Sequence, residues 1–512
     1  MLARARTFTL DGLHVRSVTV EVDIRPGLST FAIVGLADAA VREARERVRA
    51  AILNCGYEFP ARRITANLAP GDVPKVGPGL DLALACAVLA ASDQLPPERL
   101  EHHALFGELS LAGEVRACRG TLAVAQATLQ AGLHTLVVAP RRAREAKLVE
   151  GLRVAGAHRL DSAVRILEGG EGDPLPQLPH APKPDRRRSD AHELDLSDVH
   201  GQSQAVRALV VAAAGAHNFL LSGPPGTGKT MLAQRLPSIL PPLSRSEAIE
   251  VTRIHSITSG LETDRLLSSR PFRAPHHSIT TAGLIGAAQR GSVGEIVLAH
   301  RGVLFLDELS EFARPTLEAL RQPLEDGRVA IVRARHSAIY PTRFSLIAAT
   351  NPCPCGYAGE IERCRCTDLQ MARHRRKLSG PLLDRIDLLT HLERETSYGL
   401  REHPYTSSKC AREAVMEARE RQATRLRGEG IQVNADMDVA VLRRHARLDE
   451  GAKRKLSETE AFGLLSTRGQ HRLLRVARTI ADLAGSEHTS ELHVSDALAM
   501  RADLESAAVR AA

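Results

Sequence analysis

Hydrophobic and polar positions divide the chain into blocks whose periodicities differ. The first block, residues 1–168, mixes two-residue alternation with helical spacing of apolar side chains, so it predicts a domain of both strands and helices. Its predicted strands are 15–22, 62–67 and 135–139, and its predicted helices are 39–55, 80–91 and 121–131. A proline-rich segment, residues 169–193, follows with little apolar periodicity and predicts a linker. Three consecutive arginines within it, 186–188, fit a solvated charge run better than a phosphate contact.

The second block, residues 194–400, contains short continuous apolar runs, which are typical of strands buried on both faces of a parallel sheet. Its predicted strands are 219–221, 302–306 and 345–350, its predicted helices are 203–215 and 316–324, and 328–333 with 338–344 form a predicted hairpin. The third block, residues 401–512, shows helical spacing only. Its predicted helices are 408–427, 452–464, 470–484 and 495–508. The pattern therefore predicts an α/β core followed by a helical domain.

The charge and aromatic content of the chain indicate which kinds of molecule it binds. The chain has 512 residues with 68 Lys and Arg against 60 Asp and Glu, a net charge of +8, so we expect a polyanion such as DNA. Aromatic residues make up only 3% and tryptophan is absent, so any hold on nucleic acid rests on cations against phosphates rather than on base stacking.

The apolar runs and the cysteines of the chain indicate its cellular compartment. No apolar run reaches the ~18–20 residues of a membrane span, and the first residues lack the apolar core of a secretory signal. Four of the eight cysteines fall within 353–366. This usage fits a reducing compartment and a metal better than disulfides. We therefore expect a cytoplasmic protein with no membrane partner.

A complete phosphate-binding motif opens the second block. Its residues are Gly223, Pro224, Pro225, Gly226, Thr227, Gly228, Lys229 and Thr230. They match G-x-x-x-x-G-K-[ST] between an apolar strand and a helix-forming run. In such a loop the backbone N–H groups point at phosphate oxygens, and the helix N-terminus adds partial positive charge. We expect Lys229 to reach the β- and γ-phosphates of ATP, and Thr230 to bind Mg²⁺.

Polar residues end two further predicted strands of this block. Asp307 and Glu308 follow the strand 302–306, and Asn351 follows the strand 345–350. We expect Asp307 to hold the Mg²⁺ shell and Glu308 to polarise the attacking water, which Asn351 helps to orient. The adjacent acids, with glutamate second, indicate hydrolysis of a nucleoside triphosphate.

Four cysteines follow the asparagine. Cys353, Cys355, Cys364 and Cys366 form two Cys-x-Cys pairs. Four thiolates complete a tetrahedral Zn²⁺ shell, and such a closed shell is structural. The spacing is tighter than the usual zinc knuckle, and four reduced free thiols in a loop are the alternative.

Basic residues at the tip of the predicted hairpin are candidate DNA contacts. They are Arg333, Arg335 and His336, together with Arg290 from a preceding loop. The alternative is a structural hairpin whose arginines pair with nearby acids. His276 and His277, in the same insertion, suit a metal, but no third ligand is near in sequence, so we expect a hydrogen-bonded loop pair instead.

The first block resembles the proteolytic domain of Lon proteases. The resemblance rests on residues 74–79, 111–120 and 133–140. That family uses a Ser–Lys dyad, but Gly79 stands at the position of the serine and Leu122 at that of the lysine. Neither side chain can act as a nucleophile or a base. The resemblance therefore implies an inactive α+β domain kept for assembly or partner binding.

The order of motifs in the second block resembles AAA+ ATPases, in the branch that holds magnesium-chelatase subunits and MCM helicases. In that branch the arginine matching Arg385, which ends the sequence LLDR, is a finger that reaches the nucleotide of a neighbouring subunit, so the match implies a ring. Arg468 matches the second-sensor arginine of the lid, which touches the γ-phosphate in cis. Arg472 and Arg475, on the same predicted helix, are the alternatives.

From about residue 5 to 505 the chain resembles the ComM/YifB family, most specifically in the sequences NPCPCG and GPLLDRIDL. The resemblance implies an α/β fold: an AAA+ P-loop module over 194–400 with a Cys-rich insertion at 353–366, a helical lid over 401–512, and the inactive Lon-like domain in front. It implies a hexameric ATPase that acts as a helicase on single-stranded or branched DNA and promotes branch migration during integration of transforming DNA. A magnesium-chelatase-type subunit, which drives metal insertion or remodels a protein partner, is the alternative.

Overall fold

The computed structural model describes residues 1–175, 194–258, 264–287, 292–333, 336–358, 363–378, 380–393, 407–461 and 465–501. Most of the predicted linker, 176–193, therefore lies outside the described residues. The contacts separate two compact units. The first contains the described residues within Met1–Pro182, Arg245–Leu267 and Val332–Tyr340, and the second contains the rest.

A mixed sheet forms the frame of the first unit. Its strands, with a short β6–β7 pair beside it, are β1 (Leu2–Asp11), β2 (His14–Arg25), β3 (Thr30–Val34), β4 (Arg63–Ala69), β5 (His103–Phe106), β6 (Glu108–Leu109), β7 (Val115–Arg116), β8 (Thr135–Val138) and β9 (Arg153–Gly156). The seven-stranded order is β3-β4-β2-β1-β5-β8-β9. β2 runs antiparallel to both β1 and β4, and the remaining neighbours are parallel.

Helices cover this sheet: α1 (Ala39–Asn54), α2 (Asp81–Ala91), α3 (Thr121–Gln130), α4 (Pro140–Ala146) and α5 (Leu160–Leu167), with 3₁₀ turns at Pro78–Leu80 and Pro97–Leu100. α1 begins where the Asp38 carboxylate accepts the Val41 N–H at 2.8 Å, satisfying a donor that the first turn leaves open. Every residue of α2 is buried, as expected of a helix that is apolar on all sides.

The positions that match the Lon dyad are filled by apolar packing. Gly79 is buried, and a Cβ built on it would lie 2.4 Å from Cε2 of Phe106. Leu122 is fully buried in α3. A side chain at residue 79 would therefore meet an aromatic ring rather than solvent.

A parallel sheet forms the centre of the second unit. The strands of this part of the chain are β10 (Phe219–Ser222), β11 (Phe272–Arg273), β12 (Gly286–Ala287), β13 (Ser292–Val293), β14 (Val303–Leu306), β15 (Arg328–Arg333), β16 (His336–Pro341), β17 (Ser345–Thr350) and β18 (Leu388–His391). The five-stranded order is β11-β14-β17-β10-β18, with every pair parallel. β12 pairs with β13, and β15 with β16, as separate ribbons.

The helices after the linker are α6 (Ser203–Gly215), α7 (Lys229–Ile239), α8 (Arg245–Thr258), α9 (Thr281–Ile285), α10 (Glu295–Leu298), α11 (Arg314–Glu318), α12 (Arg321–Asp326), α13 (Asp368–Lys377), α14 (Gly380–Leu383), α15 (Ser408–Arg425), α16 (Val439–His445), α17 (Glu450–Ala461), α18 (Thr467–Leu483) and α19 (Glu491–Ala499), with 3₁₀ turns at Leu196–Asp198, Leu309–Glu311 and Asn434–Asp436. α15 and α18 share a core with α6 and β10. No helix in the described part of the chain is both long and apolar enough to cross a bilayer.

The described residues of two segments of the second block, Arg245–Leu267 and Val332–Tyr340, belong to the first unit. Helix α8 lies against α3, where the Ser256 hydroxyl donates to the buried Glu145 carboxylate. That carboxylate also accepts the Leu122 N–H at 3.1 Å and pairs with Arg142 at 2.8 Å. The second of these segments is part of the β15–β16 ribbon. It packs closely on Gly12, because a Cβ built there would lie 2.8 Å from the Cβ of Ala338.

Several predicted boundaries differ from the structure. The predicted helix 316–324 is two short helices, α11 and α12, because Pro323 has no N–H to donate to the carbonyl one turn earlier. The second hairpin strand is His336–Pro341 instead of 338–344, and the last helix begins at Glu491 instead of 495. Strand β1 and helix α16 were not predicted.

Replacing Gly79 with alanine tests the filled position. The added methyl group has no space beside Phe106, so we expect Gly79→Ala to lower the free energy of unfolding of the first unit by about 1–3 kcal/mol, the usual cost of overpacking. Chemical denaturation followed by circular dichroism measures this change. Gly71→Ala is the control, because a Cβ at Gly71 meets nothing within 4 Å. Equal denaturation midpoints for the two variants would contradict the packing argument.

Candidate functional site

The carboxyl ends of the central strands bring the predicted catalytic residues together. β10 lies between β17 and β18, with Ser222 opposite Thr350. β14 pairs with β17 so that Leu306 lies opposite Ala348. The P-loop, the acidic pair and Asn351 each follow one of these strand ends. They therefore share one edge of the sheet, where ligands of open α/β sheets bind.

Glycines give the P-loop its path. Gly226 and Gly228 have φ values of 80° and 88°, in the left-handed region that favours glycine. Gly223 passes close to β18, since a Cβ there would lie 2.5 Å from the Leu392 carbonyl oxygen. Helix α7 begins directly at Lys229, so its open N–H groups face the loop.

Lys229 is buried and held by oxygen atoms. Its Nζ donates to the Gly223 and Pro224 carbonyls at 2.6 and 2.7 Å and to Oδ1 of Asn351 at 3.2 Å. Burial lowers the pKa of Lys229, and the charges of Asp307 and Glu308 oppose that shift. The ammonium group is thus fixed between the loop and the end of β17.

Thr230 and Asp307 form a hard oxygen pair. The Thr230 hydroxyl donates to Oδ2 of Asp307 at 2.7 Å, and Oδ1 of the same carboxylate accepts the Glu308 N–H at 2.9 Å. A hydroxyl and a carboxylate beside a phosphate loop suit Mg²⁺, which prefers oxygen ligands and keeps several waters.

Glu308 lies in an unusual backbone conformation. Its φ of 50° is left-handed, and its side chain is 54% exposed. Oε2 of Glu308 lies 3.2 Å from Nδ1 of His277. The sequence predicts a hydrogen-bonded loop pair for His276 and His277. Their rings lie tilted with centroids 4.0 Å apart, and Nδ1 of His276 lies 2.9 Å from the Ser278 hydroxyl. The contact with Glu308 was missed, because no sequence spacing links a residue after β11 to one after β14.

A cavity of about 440 Å³ lies beside the P-loop. It is lined by Val199, His200, Gln202, Gly226, Thr227, Gly228, Met231, Leu232, Leu392 and Glu393. Gln202, with a left-handed φ of 51°, donates its side-chain amide to the Glu393 carbonyl at 2.7 Å. A cavity at this place that is lined by both polar and apolar groups suits the base and ribose of a nucleotide.

The four cysteines converge. The Sγ atom of Cys353 lies 3.3 Å from that of Cys355 and 3.9 Å from that of Cys364, and all four Sγ atoms lie within 4.8 Å of one another. Tetrahedral zinc–sulfur bonds of ~2.3 Å place sulfurs ~3.8 Å apart. The donor set and its spacing therefore fit Zn²⁺.

The cysteine segment packs on the nucleotide site. A Cβ on Gly356 would lie 2.5 Å from Cδ of Pro225 in the P-loop. On the other side of the cysteines, Nε2 of His374 in α13 lies 3.0 Å from the Asn351 carbonyl oxygen. Two sides of this segment thus support the loop and the asparagine.

Arg385 lies at the amino-terminal end of the parallel strands, opposite the carboxyl-terminal end that bears the P-loop. It precedes Leu388, which pairs with Phe219 at the start of β10, whereas the P-loop follows the end of β10. That separation is at least ~10 Å along the strand. Its carbonyl accepts from the Asn218 amide at 2.8 Å, and its guanidinium pairs with Glu325.

Arg468 is exposed near the start of α18, and no hydrogen bond or ion pair joins it to another described residue. One turn later, burial lowers the pKa of Arg472, and the charges of Asp387 and Asp384 oppose that shift. This turn of α18 therefore lies near the start of β18. The contact of Arg468 with the γ-phosphate of its own subunit stays a prediction.

Two of the predicted DNA contacts, Arg290 and Arg335, lie outside the described residues. Arg333 and His336 are the last residue of β15 and the first of β16. The hairpin is therefore present, with those two residues at the end of its strands.

The parallel sheet, the P-loop and the acidic pair define the class: a P-loop nucleotide-binding module of the AAA+ type. Family descriptions match in three stretches. "Magnesium chelatase, subunit ChlI" matches residues 195–399, "Subunit ChlI of Mg-chelatase" residues 20–142, and "Magnesium chelatase, subunit ChlI C-terminal" residues 405–501.

Curated relatives match almost end to end. An uncharacterized protein of Mycobacterium tuberculosis is 45% identical over 98% of each chain. The uncharacterized protein YifB of Escherichia coli is 43% identical over 96% of this chain and 95% of its own. Competence protein ComM of Haemophilus influenzae is 40% identical over 96% of each chain. The chain belongs to the ComM/YifB family of magnesium-chelatase-like proteins, and this membership suggests an ATPase.

A methyl group at residue 356 tests the contact between the cysteine segment and the P-loop. Gly356 has a φ of 88°, and its Cβ would press on Pro225. We expect Gly356→Ala to weaken nucleotide binding about 5- to 30-fold, or about 1–2 kcal/mol, from overpacking beside the loop. Fluorescent nucleotide titration measures it.

Gly428→Ala is the matched control for this change. Gly428 also has a left-handed φ, of 96°, but a Cβ there meets nothing within 4 Å. Both variants carry the same backbone strain. Equal nucleotide affinities for the two variants would show that the Pro225 contact does not support the loop.

Proposed function

We propose that the protein is an ATP-driven ring motor that acts on single-stranded or branched DNA and promotes branch migration when incoming DNA is integrated. The observation that carries the proposal is the division of the site: one subunit presents a complete phosphate and Mg²⁺ edge, while Arg385 lies at the far edge of the same sheet. Similarity to competence protein ComM over 96% of each chain supports the link to DNA uptake.

ATP hydrolysis follows from the residues at the carboxyl edge. Lys229 neutralises phosphate charge, and Thr230 with Asp307 would hold Mg²⁺, which would supply positive charge to stabilise the charge that develops on the phosphates. Glu308 accepts a hydrogen bond from the attacking water, and Asn351 fixes both the water and Lys229. Burial of Lys229 strengthens its interaction with phosphate, because the effective dielectric is lower than in water.

The position of Arg385 supports a ring. Its guanidinium cannot reach the phosphates of its own P-loop across the sheet, so in a hexamer it would serve the neighbouring subunit. Its ion pair with Glu325, whose side chain is 64% exposed, is weak enough to exchange for a phosphate. Arg468, exposed near the start of α18, keeps its proposed contact with the γ-phosphate of its own subunit.

Positive charge supports DNA as the polyanion. The net charge is +8, and α13 exposes Arg373, Arg376 and Lys377 directly after the cysteines. Arg333 and His336, the last residue of β15 and the first of β16, are further candidate contacts, as are Arg290 and Arg335, which lie outside the described residues. Phosphate contacts of this kind need no aromatic stacking, in keeping with the composition.

A magnesium-chelatase-type motor that drives metal insertion or remodels a protein is the second candidate, favoured by the three family matches. Such a motor has no need of DNA. The two candidates therefore differ in whether DNA changes the rate of hydrolysis.

DNA should stimulate hydrolysis by the purified protein. We expect forked and four-way DNA to raise the ATPase rate, with an effect that falls steeply as salt rises because phosphate contacts release counterions. Arg335→Glu should reduce the stimulated rate and leave the basal rate unchanged. A steady-state ATPase assay with a strand-displacement assay measures both. A rate indifferent to DNA at every salt concentration would favour the second candidate.

Subunit mixing tests the shared site. Arg385→Ala should retain nucleotide binding and assembly but lose hydrolysis by about 10³-fold, the usual effect of removing an arginine finger. Mixed with Lys229→Ala subunits, it should recover part of the activity at interfaces where an intact P-loop meets an intact Arg385. Activity lost in proportion to the mutant fraction, with no recovery in any mixture, would contradict the trans role.

We also propose that the four cysteines hold one structural Zn²⁺. Elemental analysis should give about one zinc per chain, because four thiolates leave no open position. Replacing Cys364 and Cys366 with serine should abolish zinc binding, while Cys410→Ser, which removes an exposed cysteine elsewhere, should not. Metal-free protein whose four thiols all titrate freely would contradict the site.

A further inference from the structure

We propose that strand β3 of the first unit is a docking site for an extended acidic segment of another protein, which would add to the sheet as a further strand. β3 (Thr30–Val34) stands first in the order β3-β4-β2-β1-β5-β8-β9, so the sheet pairs only one of its sides. The site lies wholly in the first unit and uses none of the residues of the nucleotide site. It is therefore a function beyond ATP hydrolysis and DNA binding.

The backbone of β3 leaves two residues facing away from the sheet. The Thr30 N–H donates to the Arg62 carbonyl at 3.3 Å, so Thr30 faces β4. Successive residues of a parallel strand point their N–H and C=O groups to opposite sides, so Phe31 and Ile33 face outward. Within the described residues no hydrogen bond reaches these outward groups. They stand in the arrangement that a further strand would pair.

The strand at the other edge of the sheet, β9, is covered by its own chain. The Arg153 N–H donates into the sheet, to the His134 carbonyl at 2.8 Å, so by the same alternation Gly156 faces outward. Its carbonyl accepts the Asp173 N–H at 2.8 Å, and a Cβ on Gly172 would lie 3.2 Å from its nitrogen. Proteins cover their edge strands in this way because bare edges pair with other chains. β3 is the edge strand that the described part of the chain leaves open.

The sequence of β3 contains none of the features that usually protect a bare edge. Its residues are a threonine, a phenylalanine, an alanine, an isoleucine and a valine, which favour strands and include neither a charge nor a proline. Leu28 before it is 88% exposed and Leu36 after it is 60% exposed. Phe31 packs on the core with its ring centroid 5.7 Å from that of Phe59. The strand is thus held in place, and its exposed apolar flanks indicate a surface that a partner covers.

The charge around β3 is positive. Residues 24–37 and 58–69, which contain β3, β4 and the turns before them, include Arg25, Arg62 and Arg63 against one acid, Glu58. Arg63 lies opposite the first residue of β3, and both it and Arg62 are exposed. Arg25 lies opposite Arg63 but pairs with Asp23 at 2.6 Å. Arg62 and Arg63 therefore supply the positive charge that an incoming carboxylate would meet at the start of β3.

An extended peptide with apolar residues and an acidic end fits this site. Main-chain hydrogen bonds to Phe31 and Ile33 would provide affinity, and apolar side chains would cover the two exposed leucines. Carboxylates beside the arginines would fix which end of the peptide lies at the start of β3. DNA would satisfy the arginines but leave the outward backbone groups and the leucines without partners. A peptide is therefore favoured over a nucleic acid.

A synthetic peptide tests the site in the full-length protein. The probe alternates valine and threonine, has an aspartate-rich end and carries fluorescein. We expect saturable binding with a Kd of about 10–100 µM by fluorescence anisotropy, since a short strand is held by few main-chain hydrogen bonds. Saturating probe should slow amide hydrogen exchange over residues 28–36 about tenfold, measured by mass spectrometry.

Two altered probes separate backbone pairing from charge. A probe methylated on every peptide nitrogen cannot donate to the strand, so it should bind at least about tenfold more weakly. A probe with lysines in place of the aspartates should bind about 5- to 30-fold more weakly, because its end meets charge of the same sign.

Variants of the protein complete the charge test. Arg62→Glu together with Arg63→Glu should weaken the aspartate probe about 5- to 30-fold and strengthen the lysine probe by a similar factor. Both side chains are exposed, so the fold should be unaffected. Arg153→Glu is the matched control, because Arg153 is an exposed arginine in the covered edge strand, and it should bind both probes as the wild type does.

Three results would overturn the proposal. The first is binding of the aspartate probe without slower exchange over residues 28–36, or without an effect of the two arginine changes. The second is slow exchange over this segment in the protein alone that becomes fast when the protein is diluted to monomers, which would assign the edge to a second copy. The third is a single-stranded oligonucleotide that slows the segment when the peptide does not, which would assign it to nucleic acid.

Discussion

The residue that precedes β10 fixes how the sheet of the second unit is assembled. Asn218 accepts the Leu346 N–H with Oδ1 at 2.9 Å and donates through Nδ2 to the Arg385 carbonyl at 2.8 Å. Its own carbonyl accepts the N–H groups of Asp387 and Leu388. A half-buried amide whose oxygen and nitrogen both have partners sets a register strongly, because any slip leaves polar atoms without partners. The neighbours of β10 on both sides are therefore tied at this end, and the positions of the catalytic groups at the other end follow from it.

The two ends of the parallel strands bear different functional groups. The carboxyl edge gathers Lys229, Thr230 and Asp307 within hydrogen-bonding distance of their partners. The amino edge holds Arg385 and, through His217, a buried link to the helices: its ring nitrogens lie 3.3 Å from Asp387 and 2.8 Å from Thr479 of α18. Interactions with His217 lower the pKa of Asp387, against the effect of burial. A movement of α18 is thus coupled to the segment that bears Arg385, because a buried polar network breaks only at a cost.

Local patterns in the sequence predicted the strands and turns that bear the chemistry, and distant contacts explain what was missed. The P-loop, Asp307, Glu308 and Asn351 each follow an apolar strand, so spacing alone placed them at one edge. The contact of His277 with Glu308 joins two strand ends, and that of Gly356 with Pro225 joins two loops, so neither leaves a periodic trace. Strand β1 was missed although it alternates between buried and exposed over its first half, because its arginines and threonines weaken the apolar signal. Helix α11 ended early for a local reason that the sequence did contain, Pro323.

Few buried side chains surround the cysteine cluster, and this indicates why the segment needs a metal. Between β17 and β18 the chain crosses the sheet edge through 351–387, and within the described residues from 352 to 378 only Cys353, Gly356 and His374 are buried. A segment with so few apolar contacts cannot offset the entropy of ordering its backbone, about 1–2 kcal/mol per residue. Small structures of this kind are ordinarily held by a metal or by disulfides. The same segment contacts Pro225 through Gly356 and Asn351 through His374. The P-loop and the asparagine are therefore held in place only when this segment is itself ordered. The metal would then act on hydrolysis from outside the reacting atoms, by holding the loop and the asparagine at fixed positions.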